Sequence, residues 1–108
     1  ESKFNKTRYT YTNRMGLIMD KYNKMNNLMQ EYEKLAQTNL NLALRKMIDL
    51  YFSQEYDNCF NYDVYDGIEL WLQENADKQL ISYIKSKYDK DISGYTKLME
   101  VIEAGINR

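Results

Sequence analysis

The side chains in this sequence that could do chemistry are carboxylates, lysines, tyrosines and a single thiol, Cys59; there is no histidine. That removes the commonest general base and the commonest transition-metal ligand. A nucleophile needs a base beside it, and nothing local pairs a carboxylate or lysine with Ser53, Ser82 or Cys59. The glycines, at 16, 67, 94 and 105, are scattered and form no phosphate-cradling loop. Zinc requires clustered Cys and His. A calcium loop with Gly67 at its sixth position would put Tyr62 first, Val64 third and Gln73 twelfth, where oxygen ligands of another kind are needed. The expectation is a protein that is not an enzyme, with no catalytic residue, no cofactor and no metal.

One cysteine can form no internal disulfide, which fits a reducing compartment. The polar start, Glu1-Ser2-Lys3-Phe4-Asn5-Lys6, has no apolar signal region, and no run of about 18 apolar residues follows. These features predict a cytoplasmic protein without a membrane role. Asn and Tyr each occur eleven times, and Lys outnumbers Arg, a usage typical of an AT-rich genome.

The net charge of −1 conceals three blocks. Residues 1–48 carry +5, residues 49–77 carry eight acids and no base, and residues 78–108 carry +2. Blocks of this kind suit partners of opposite charge. The acidic block is also rich in tyrosine, which offers rigid contact area with a polar tip. Its period-breaking stretch, read as a surface loop, gives the candidate partner-binding set: Tyr56, Asp57, Tyr62, Asp63, Tyr65 and Asp66. The partner would be another protein with a basic surface, and the chain a regulator, adaptor or inhibitor. The alternative is a nucleic-acid-binding accessory factor that contacts phosphates through Lys6, Arg8, Arg14, Lys21 and Lys24. A pI near 5.5 argues against it, because such binders are usually basic.

The elements that must position these residues are helical. The sequence contains no proline, so nothing forbids long helices. The expected fold is all-α, a compact bundle of about five helices, with residues 1–12 as a basic arm or short strand and 13–108 as one helical domain. From Asn13 to Ala36 an apolar seam runs through Met15, Ile18, Tyr22, Met25, Met29 and Tyr32. At 1.5 Å per residue it implies a helix roughly 35 Å long. That seam admits either a homodimer or an intramolecular bundle. Thr38 or Asn39 opens a second helix to about Phe52, expected to be the most buried. Alternation from Phe60 to Tyr65 suggests a strand that could pair with residues 8–12 as a two-stranded ribbon. Asp66-Gly67-Ile68-Glu69 has the form of a capping box, opening a short helix in which Trp71 is expected to be core. Asp77 and Ser93 are the expected caps of the last two helices. Within them, Tyr83-Ile84-Lys85-Ser86-Lys87-Tyr88 followed by Asp91-Ile92-Ser93 resembles the opening helix and turn of AraC-type helix-turn-helix domains. The likeness covers about a dozen residues and assigns no family.

Overall fold

The computed structural model describes residues 23–53 and 62–108. Those residues form five helices: α1 (23–35), α2 (Leu40–Phe52), α3 (Tyr62–Glu74), α4 (Lys78–Lys87) and α5 (Tyr95–Ile106). Among the described residues there is no strand. The basic arm, the first part of the expected long helix and the strand at 8–12 lie outside the described residues.

Local chemistry sets most boundaries. After α1, Thr38 donates from its hydroxyl to the Leu35 carbonyl, and Asn39 then caps α2 by accepting from the Leu42 N–H at 3.2 Å. Asp77 caps α4 by accepting from the Gln79 N–H at 2.8 Å. The last helix departs from expectation, because its N-cap is Gly94 rather than Ser93. Gly94 has φ +85°, which disfavours a side chain, and a Cβ there would sit 2.9 Å from the Tyr51 ring. A capping serine hydroxyl is given up so that the chain can turn tightly over a buried ring.

The ribbon is a second correction. Residues 62–65 are the first turn of α3, not a strand. The alternation of Tyr62 and Val64 with Asp63 and Tyr65 gives way to a longer helical pattern. Val64, Tyr65, Ile68 and Leu72 recur at helical spacing, and all four are buried. The supposed capping box therefore lies inside α3. Trp71 is half-buried against the core rather than within it.

The core is built from Met47, Ile48 and Tyr51 of α2, Tyr65, Ile68 and Leu72 of α3, Ile84 of α4, and Leu98 and Ile102 of α5. As expected, α2 is deeply buried, with seven of its residues inside: Ala43, Leu44, Met47, Ile48, Leu50, Tyr51 and Phe52. Helix α2 packs against α3 and α4, and α5 packs against the same two. Helices α3 and α4 thus pack mainly against α2 and α5 rather than against each other. Met25 of α1 is buried in the same core, with Leu28, Met29 and Tyr32 packed against it. Met29 lies at Gly67, its sulfur 3.5 Å from where a Cβ would be. The described half of the apolar seam is thus used within the chain, which removes Met25 in particular from a dimer interface.

Helices α3 and α5 approach each other tightly at Gly105. A Cβ at Gly105 would overlap the Gln73 carbonyl oxygen and come within 2.7 Å of the Ala76 side chain. Gly105→Ala should therefore lower stability by about 1–3 kcal/mol, the usual penalty for overpacking, despite alanine's better helix propensity. Urea or thermal unfolding of the two proteins measures this directly.

Candidate functional site

The acids of the central block have three different environments. Glu69 points inward and is only 6% exposed. Its carboxylate accepts a 2.8 Å hydrogen bond from the Tyr51 hydroxyl, joining α3 to α2. Burial raises the Glu69 carboxyl above its ordinary value. The Tyr51 hydrogen bond and the Lys97 charge oppose this, and Asp66 adds to it. A tyrosine hydrogen-bonded to a carboxyl shifted upward by burial has the makings of an acid–base pair. Tyr51 is 1% exposed, however, and its ring lies under Gly94, so the pair is enclosed by core. What this geometry does is fix the rotation of α3.

Asp49 is the hub of a second arrangement, between α2 and α4. It accepts from the Tyr83 hydroxyl at 2.8 and 2.9 Å, from the Tyr88 hydroxyl at 2.6 Å and from the Lys87 ammonium at 3.0 Å. Burial and the adjacent Asp49 carboxylate push the Tyr88 phenol well above its ordinary range. Lys87 is raised by its hydrogen bonds to Tyr83 and Asp49. The Arg45 guanidinium, one turn before Asp49 on α2, lies 5.6 Å from the Tyr83 ring centroid, and Lys87 lies 5.5 Å from it. The result is a surface patch of fixed tyrosines and cations. Sequence reading missed it, because Asp49 stands 34 to 39 residues from its phenol partners. The local signal, Tyr83, Lys87 and Tyr88 on one side of a helix, does not reveal the carboxylate they share.

The third environment is the outer side of α3. Asp63, Asp66, Leu70 and Glu74 are exposed, and their spacing of three, four and four residues puts them in one stripe. Leu70 is 55% exposed.

Of the expected partner-binding set, Asp63 and Asp66 lie on this stripe. Tyr65 does not, because its ring is fully buried and packs edge-on to Tyr51 at 5.2 Å. A large ring gains more from the core than from the surface. Tyr56, Asp57 and the Tyr62 side chain lie outside the described residues. Of the expected phosphate-contacting residues, Lys24 is exposed on α1, and Lys6, Arg8, Arg14 and Lys21 lie outside. So do Met15, Ile18 and Tyr22 of the apolar seam. Among the described residues no cluster of acids or thiols is arranged to hold a metal ion, and no helix is long and apolar enough to cross a membrane. A depression of about 440 Å³ beside the α1–α2 turn is lined by Tyr32, Leu35 and Lys46 among solvated side chains. It gathers no set of convergent polar groups. Comparison of the chain with protein-family models, with curated proteins and with solved structures finds no match.

Two outcomes test these environments. Asp49 is 37% exposed, so Asp49→Ala should cost toward the lower part of the ~1.5–3 kcal/mol expected for hydrogen bonds to a charged group. A double-mutant cycle with Tyr88→Phe should show the two losses are not additive. Glu69 gives a pH dependence. The folded carboxyl holds its proton more tightly than the unfolded one, so its contribution is fully present below the ordinary carboxylate range. It is lost as pH rises through the raised folded value. Wild type should therefore lose stability relative to Glu69→Gln between acid and neutral pH. Chemical denaturation at a series of pH values measures the gap, which should widen toward neutrality.

Proposed function

We propose that this chain is a small, non-enzymatic protein-interaction module that binds a basic partner through the outer side of α3. One observation carries the reading: a half-exposed leucine, Leu70, stands between Asp66 and Glu74 on a helix whose opposite side is fully committed to the core. Apolar area at the centre of a contact supplies affinity, while charges at its rim select the partner and speed association. α3 carries no basic residue to offset its acids. Two further features support a rigid presentation of the stripe. Glu69 ties α3 to Tyr51 from beneath, and the close approach at Gly105 holds α3 to α5. The partner chemistry is a helix or loop presenting lysine or arginine around an apolar residue.

The test uses a fluorescently labelled, synthetic amphipathic helix of lysine and leucine, titrated with the protein. Wild type should bind with an affinity that falls as salt is raised, because exposed charges are screened. Asp66→Lys with Glu74→Lys should weaken binding at least about tenfold, or ~1.4 kcal/mol. Leu70→Ala should weaken it while leaving the salt dependence in place. Equal binding by all three folded proteins would exclude α3 as the surface.

A further inference from the structure

The patch between α2 and α4 is a second surface, built differently from the α3 stripe. Asp49 fixes the hydroxyls of Tyr83 and Tyr88, so their rings are oriented before anything binds. The Lys87 charge is taken up by Asp49 at 3.0 Å. Arg45 is exposed and forms no ion pair among the described residues; its guanidinium lies against the Tyr83 ring. Leu42, three residues earlier on the same side of α2, is 42% exposed. Arginine and tyrosine dominate the energetics of many interfaces. A guanidinium stacked on a ring keeps its donor edge available for a carboxylate. The patch therefore fits a helix that presents a carboxylate one turn from an apolar side chain.

Helix α3 of this chain has that pattern in Asp66, Leu70 and Glu74, spaced four and four. Within one molecule Arg45 makes no ion pair with Asp66 or Glu74 among the described residues. We infer that a second copy of the chain is the occupant: the α3 stripe of one molecule docks on the Arg45–Tyr83 patch of the next, with Leu70 against Leu42 and a carboxylate on Arg45. This rests on the reading of α3 as a binder of basic partners, and it names the partner. The contact joins two different surfaces, so it is head-to-tail, and it propagates into a ring or an open chain rather than closing as a symmetric dimer.

The experiment is sedimentation velocity on the full chain over a concentration series at low and high salt. Two near-isosteric variants accompany wild type: Arg45→Gln, which disables the patch, and Asp66→Asn with Glu74→Gln, which disables the stripe. All are first checked for wild-type melting. Wild type should exceed the 13.0 kDa monomer mass as concentration rises, and return toward it in high salt. Each variant alone should stay monomeric. An equimolar mixture of the two should stop at twice the monomer mass, because each molecule retains one working surface. A wild type that stays monomeric throughout, or an Arg45→Gln protein that assembles like wild type, overturns the proposal. The lysine–leucine peptide separates the two claims. A monomeric wild type that still captures the peptide through Asp66 and Glu74 removes only the second copy as partner. A monomeric wild type that ignores the peptide removes the α3 surface as well.

Discussion

The Tyr51 phenol sits where α2, α3 and the entry to α5 meet, and its hydroxyl donates to Glu69 at 2.8 Å. Its ring packs edge-on against both Phe52 and Tyr65 at 5.2 Å, and Gly94 turns directly over it. Several constraints follow from this one placement. The residue before α5 must lack a side chain. Glu69 must face inward, so the helix carrying it can adopt only one rotation. That rotation sends Tyr65, Ile68 and Leu72 into the core and Asp66, Leu70 and Glu74 to solvent. A buried polar group is costly unless it is hydrogen-bonded. Here the cost of burying Glu69 is offset by a hydrogen bond to a partner that is itself locked by aromatic packing.

Much of the bundle was legible in the sequence because the relevant physics is local. Asn39 and Asp77 cap helices through bonds spanning two or three residues. The apolar stripe of α2 has a helical period throughout, and its buried residues follow it. What failed were features decided by distant neighbours. Two-residue alternation at Phe60, Tyr62 and Val64 satisfies a strand over a few residues, and only the packing of Tyr65, Ile68 and Leu72 into the core reveals a helix. Ser93 is a good local cap, but it is displaced because Tyr51 needs room above its ring. Trp71 is large enough to be core, yet α3 has already filled its inner side with Ile68 and Leu72.

The acidic block shows the same division. By charge alone its eight acids are equivalent. In the fold Glu69 is buried, Asp49 is held by two phenols and a lysine, and Asp66 and Glu74 face solvent. The sequence places the charge in the right half of the chain but gives no means of sorting its members. The shared Asp49 patch was missed for the same reason, since its parts come from two helices far apart in the chain. The proposed interaction surfaces draw on what this sorting leaves exposed: a carboxylate–leucine stripe on α3 and a guanidinium–tyrosine patch between α2 and α4.

The rotation of α3 decides which acids are available to a partner. Carbodiimide labelling of carboxyl groups in the native protein, read by mass spectrometry residue by residue, tests it most directly. Asp66 and Glu74 should be modified rapidly and Glu69 strongly protected, with protection lost on unfolding. Labelling of Glu69 at the rate of Asp66 and Glu74 in the folded protein would mean that α3 is rotated otherwise.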